Sequence, residues 1–192
     1  MLAKFAAILL TLLVALGCSG PDDSPELDPV FVVMCPDIDP GEEPHPCCTG
    51  FALGAQVVTA SHCVPGDAAQ LVSNRQWLDT ASASQIGTVI SRDDSRDIAW
   101  LSAKLDGPGL RLGAVVHPAD AIRVLTRSGV KLGTASERIG SVRWITDANT
   151  AFGDSGSAVI DSNGDAVGVL TQCLSDDDKQ CDMGTGIFAE LP

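Results

Sequence analysis

Apolar residues come along this chain in short runs, such as Val30-Phe31-Val32-Val33-Met34, Val57-Val58 and Ala158-Val159-Ile160, cut by Gly, Asp, Asn or Pro at roughly eight-to-twelve-residue spacing. That rhythm predicts strands over residues 30–34, 50–53, 56–59, 69–72, 86–91, 98–103, 121–126, 131–136, 140–145, 157–161, 166–171 and 186–191. Asn163-Gly164, between two of them, favours the left-handed backbone of a tight hairpin. No segment carries the spacing of a long amphipathic helix and no internal repeat is visible, so the chain reads as all-β.

The first residues follow a different pattern. Lys4 precedes an apolar run from Phe5 to Val14, too short to span a bilayer, and Ala15-Leu16-Gly17-Cys18 follows. This predicts a removable secretory signal over residues 1–17. Cys18 after Gly17 resembles a bacterial lipobox, with Ala15 where Leu is usual, and would be diacylated as the new amino terminus. Each buried methylene contributes about 0.8 kcal/mol, so two or three acyl chains anchor stably. Ser19 rather than Asp resembles lipoproteins sent to the outer membrane; the alternative is ordinary cleavage and a secreted protein with a free Cys18. Residues 18–29 are acidic and Pro-containing, too polar to offset the entropy of ordering, and read as a flexible tether. The folded domain is then 30–192.

A net charge of −13, from 25 acidic and 12 basic residues, argues against a basic patch for nucleic acid or anionic membrane. Setting Cys18 aside leaves Cys35, Cys47, Cys48, Cys63, Cys173 and Cys181, an even set that in an exported chain favours three disulfides. No Cys-x-x-Cys or Cys/His spacing points to zinc, and Asp176-Asp177-Asp178 reads as a solvated loop rather than a calcium site. His45 and His117 sit beside prolines and read as loop residues.

Three segments carry chemistry: Thr59-Ala60-Ser61-His62-Cys63, Asp97-Ile98-Ala99-Trp100-Leu101 and Gly153-Asp154-Ser155-Gly156-Ser157. A serine hydroxyl is a poor nucleophile until a neutral imidazole takes its proton, and a carboxylate that fixes the imidazole tautomer stabilises the cation formed. His62, Asp97 and Ser155 supply those groups. Singly, each segment has a structural reading as a strand end or turn. Their order, beside matching cysteines and strands, favours catalysis. The order His, Asp, Ser, with Ser rather than Gly at position 157, also counts against the α/β-hydrolase elbow, where the nucleophile comes first.

These segments resemble their counterparts in the trypsin/chymotrypsin-like serine proteases. Arg127-Ser128-Gly129 followed by Gly133, Gly140 and Val142 is similar to the compact bacterial branch, the streptogrisin and α-lytic-like proteases, as is Gly186-Ile187-Phe188-Ala189 near the end. The resemblance covers most of residues 48–190. It implies two Greek-key, six-stranded β-barrels with the site between them: the first about 30–105, a linker over 106–118, the second about 119–192.

It also implies acyl transfer through an acyl-enzyme. Ser155 would attack, His62 act as base and then acid, and a buried Asp97, supported by the Thr171 hydroxyl, orient His62. The N–H groups of Gly153 and Ser155 would form the oxyanion hole. Asp154 would pair with Arg127, no Ile or Val amino terminus being available. Asn149, Thr150, Thr171, Cys173 and Gly186 would shape a substrate pocket, with Asn149 at its floor, selecting a small or medium uncharged side chain. Cys63 would bridge to Cys48 or Cys47; Cys48 is favoured because Thr49-Gly50-Phe51-Ala52-Leu53 continues as the family's strand does. Cys173–Cys181 and Cys35–Cys47 complete the set. The expectation is a monomeric endopeptidase acting on polypeptides, without cofactor or metal, exported from a bacterial cell and held in the envelope by Cys18. An inactive binding protein of this fold should have lost a triad residue; an esterase would use the same chemistry.

Overall fold

A computed structural model describes residues 29–35, 44–74, 84–105, 107–173 and 185–192. The predicted signal, Cys18, nearly all of the tether, Asp176-Asp177-Asp178 and Cys181 lie outside them. Among the described residues twelve strands form: β1 (Val30–Cys35), β2 (His45–Leu53), β3 (Gln56–Ala60), β4 (Ala68–Ser73), β5 (Gln85–Asp93), β6 (Ile98–Ser102), β7 (Ala121–Thr126), β8 (Gly129–Ile139), β9 (Val142–Thr146), β10 (Ala158–Ile160), β11 (Ala166–Cys173) and β12 (Thr185–Glu190). Each matches one of the strands read from the sequence. β2 and β8 run longer, so His45 belongs to a strand rather than a loop.

β1 to β6 close into one barrel in the order β1-β2-β3-β6-β5-β4, and β7 to β12 close into a second in the order β10-β11-β12-β9-β8-β7. Read from β7, the second order is the first displaced by six strands. A repeat that is invisible in the residues is therefore present in the topology. Closure leaves neither barrel a free sheet edge.

The apolar runs follow from where the strands lie. Val57, Leu71 and Leu101 point into the first barrel, and Val124, Ile145 and Phe188 into the second. Val30, Phe51, Val58, Ile98, Leu125, Ala158, Ile160 and Val169 form a third cluster drawn from both barrels. Strands between a barrel interior and the opposing barrel are buried on both faces, so Val57-Val58, Val124-Leu125 and Val159-Ile160 are apolar without alternation. β5, which has one solvent face, alternates in part, with Ile86, Thr88 and Ile90 exposed and Gly87 buried.

The connection between the barrels is laced to both. Gly54 N–H donates to Leu110 carbonyl (3.0 Å) and Leu110 N–H to Ala52 carbonyl (2.8 Å); Gly113 N–H donates to Ala166 carbonyl (2.7 Å). Two disulfides are described, Cys35–Cys47 and Cys48–Cys63. Among the described residues no helix is long and apolar enough to cross a membrane.

Candidate active site

β3 pairs with β6 so that Ala60 lies opposite Ile98. The residues just after Ala60 therefore meet the residue just before Ile98. The first are the one-turn 3-10 helix Ser61–Cys63, which carries His62; the second is Asp97, in left-handed backbone at φ 56°. Ser61 N–H donates to Asp97 carbonyl at 3.0 Å. Asp97 then takes His62 with both oxygens: Oδ1 accepts the backbone N–H at 2.9 Å, and Oδ2 lies 2.7 Å from Nδ1.

An ionised carboxylate only accepts, so this contact assigns the Nδ1 proton and leaves the Nε2 lone pair free. The Asp97 side chain is 26% exposed and that of His62 48%, so the carboxylate is half-buried rather than buried. The Thr171 hydroxyl does not support it. It donates instead to Ile187 carbonyl at 3.2 Å, across the pairing of β11 with β12.

Ser155 lies in the turn before β10. His62, Asp94, Asp97, Ala151, Phe152, Ser155, Thr171 and Gln172 line one open cleft of about 470 Å³ between the barrels. The Ser155 hydroxyl makes a long contact, 3.5 Å, to Thr171 carbonyl. Gly153 has φ 86°, a conformation that side-chain-bearing residues seldom adopt, and the Arg127 guanidinium lies over its Cα where a side chain would stand. Among the described residues no hydrogen bond uses the N–H of Gly153 or of Ser155.

Asp154 does not pair with Arg127. Its buried carboxylate accepts Lys131 Nζ at 2.6 Å and the Ala151 N–H at 2.7 Å, while Nζ also donates to Asn149 carbonyl at 2.8 Å. Lys131 lies on β8, the strand that follows Arg127, and its long stem reaches under the loop. Arg127 Nη1 points across the barrel boundary to Pro46 carbonyl, 3.2 Å away. Asn149 is exposed, at φ 45°, and is not among the residues that line this cleft. Thr150, by contrast, is buried, its side chain about 3.2 Å from the position a Cβ would take on Gly186. Gly186 pairs with Cys173 in the β11–β12 ladder; the expected Cys173–Cys181 bond involves a residue outside the described ones.

The sequence reading missed other cleft residues. Ser61 Oγ donates to Asp94 Oδ1 at 2.6 Å, a second tie between the His62 turn and the β5–β6 turn. Phe152 stands 62% exposed in the cleft, its only signal being an aromatic between Ala151 and Gly153 in a chain with 4% aromatics. The sulfurs of Cys48 and Cys63 lie near the His62 ring. They are joined as a disulfide and offer no thiolate to a metal.

Two closed six-stranded barrels with a His-Asp pair and a serine in the intervening cleft define a chymotrypsin-like fold. A profile of the trypsin-like peptidase domain matches residues 48–169, and the chain belongs to that family. Similar solved structures include the Rv3671c protease from M. tuberculosis in its active form, 22% identical, with 90% of this chain and 83% of that one covered and a TM-score of 0.65. The MamO protease domain from Magnetospirillum magneticum is 16% identical, over 86% of this chain and 93% of that one, with a TM-score of 0.62. A serine endoprotease from Yersinia pestis is 16% identical, over 85% and 59%, with a TM-score of 0.64. At these identities the likeness shows the fold alone. No curated protein sequence matches the chain.

Proposed function

We propose that this peptidase is a serine endopeptidase in which Ser155 attacks the scissile carbonyl, His62 takes the serine proton on Nε2 and returns it to the leaving amine, and Asp97 holds His62. The observation that carries this reading is the paired contact of Asp97 with His62 in the cleft that also holds Ser155. A proton held on Nδ1 makes Nε2 the base. The serine hydroxyl rests on Thr171 carbonyl, and catalytic hydrogen bonds often tighten only when substrate binds. The N–H groups of Gly153 and Ser155 would receive the oxyanion, at about 3 kcal/mol per donor in the transition state.

Labelling with a fluorophosphonate tests the reading. The wild type should be labelled at Ser155 and hydrolyse peptides, and Ser155→Ala should do neither while melting at the same temperature. Peptide hydrolysis undiminished in Ser155→Ala would overturn it.

The buried Thr150 against Gly186, and the lack of a carboxylate among residues 149–152, support cleavage after a small or medium uncharged side chain; a cation there would be desolvated without a partner. The signal and lipobox-like residues support export and acylation at Cys18, and disulfides belong to an oxidising compartment. Cys18→Ala should then move the protein from the membrane fraction to the soluble one.

A further inference from the structure

Three consecutive peptide planes run from Gly153 through Ser155 to Gly156. The middle one, between Asp154 and Ser155, bears the Ser155 N–H. The plane before it carries the Gly153 carbonyl and the plane after it carries the Ser155 carbonyl. Both of these carbonyls are held by one residue of the other barrel: Thr49, fully buried on β2, donates its hydroxyl to Gly153 carbonyl and its N–H to Ser155 carbonyl, each at 2.8 Å.

Thr49 is itself fixed from behind. Its carbonyl accepts the Thr59 hydroxyl at 2.7 Å, and Thr59 is on β3, three residues before His62. A Cβ on Gly156 would collide with this same Thr49 carbonyl and Thr59 hydroxyl, so the nucleophile loop seats on the pair with no room to spare. One residue further back, Cys48 is bonded to Cys63, the neighbour of His62. The β2–β3 hairpin thus delivers His62 and grips the loop of Ser155 at once.

We infer that Thr49 is a positioning residue for the oxyanion-binding N–H of Ser155, and that its side-chain hydroxyl sets the alignment of the second barrel's loop to the first barrel's histidine. This rests on Ser155 being the nucleophile. Fixing the flanking planes leaves the middle one a single orientation before substrate arrives. Such preorganisation acts on the charged intermediate rather than on substrate binding.

The test compares Thr49→Ser with Thr49→Ala. Both lose the same methyl and differ only in the hydroxyl, and Thr49→Val restores the bulk without it. In the full chain, the Ala and Val variants should lose kcat by about 10- to 100-fold with KM within a factor of about two, and Ser should recover most of that loss. A peptide aldehyde separates positioning from mere support. Its carbonyl carbon bonds to Ser155 Oγ, the serine proton passes to His62, and its oxygen becomes the oxyanion in the hole. Its affinity should fall in parallel with kcat/KM. Equal kcat in Ser, Ala and Val overturns the inference, as does a loss in KM alone. Failure of the Ala and Val variants to fold beside a folded Ser variant also overturns it, because the hydroxyl would then serve stability. An unlabelled wild type in the fluorophosphonate experiment sinks the nucleophile reading itself. A labelled wild type with unaffected Thr49 variants sinks only the role of Thr49.

Discussion

A buried carboxylate sits one residue before the candidate nucleophile, and its cation decides whether the loop around it holds. That cation is Lys131, whose ammonium joins Asp154 to Asn149 carbonyl and so ties the loop at two points. Removing one member of a buried pair leaves the other charge desolvated and alone, at a cost of about 3–5 kcal/mol. Lys131→Met should therefore lose about 3 kcal/mol in denaturant unfolding and most of the turnover. Arg127→Ala gives up a hydrogen bond to Pro46 carbonyl and the packing of its guanidinium on Gly153, and should cost less; the opposite ranking would reassign the pair. Ser157, fully buried, has no hydrogen-bond partner for its hydroxyl among the described residues. Ser157→Ala removes a desolvated polar atom and should raise stability by about 1 kcal/mol. Ser157→Gly should not match it, because position 157 has no positive φ to relieve and glycine adds unfolded-state entropy.

At the scale of elements, strand register assembles the site. The Ala60–Ile98 pairing brings His62 to Asp97, and the β10–β11 hairpin sets the strand that Ser155 leads into. Asp161 closes that hairpin. Burial opposes its ionisation, but the backbone N–H groups of Asp165 and Asn163 bond to the carboxylate and hold its pKa below the ordinary aspartate range. A depressed folded pKa contributes stability that is fully present above the unfolded value and is lost as pH falls through the folded one. Asp161→Ala should therefore be less stable than wild type at neutral pH, and the two unfolding curves should converge in strong acid. A gap that stayed constant with pH would show that the turn does not depend on the charge.

For the whole molecule, the apolar seam between the barrels does more than stabilise, because the candidate catalytic groups come from both sides of it. Leu125 and Leu71 are both fully buried, the first in the seam and the second inside the first barrel. Truncating either to Ala should cost about 2–5 kcal/mol, set by how far the cavity collapses. Below the unfolding transition, Leu125→Ala should also lower kcat by letting the barrels shift, while Leu71→Ala should leave the activity of the folded fraction close to wild type. Equal kcat in the two variants would mean that linker, Thr49 contacts and remaining seam already fix the barrels.

The all-β class was legible in the residues because a strand's burial is written in its own run of apolar positions, and twelve such runs are separated by turn chemistry. The candidate groups His62, Asp97 and Ser155, in that chain order, were legible for a similar reason: each is announced by the residues beside it. Partners chosen across space were not. Lys131 and Arg127 are both cations near the start of β8, and only the direction each side chain takes from the closed sheet puts one beneath Asp154 and the other over Gly153. Asn149 sits next to Thr150 in sequence, yet left-handed backbone turns the first to solvent while the second is buried beside Gly186. Thr171 has the hydroxyl needed to reach Asp97, but the β11–β12 ladder offers it Ile187 carbonyl instead. The sequence by itself determined the strands and the candidate reacting groups, because local pattern and chemistry encode them, and it pointed to the two barrels only through the resemblance of its motifs to the trypsin/chymotrypsin-like proteases. Only the tertiary structure decided which cation, carbonyl or hydroxyl each group meets, because contacts between distant segments depend on barrel closure and on the packing of one barrel against the other.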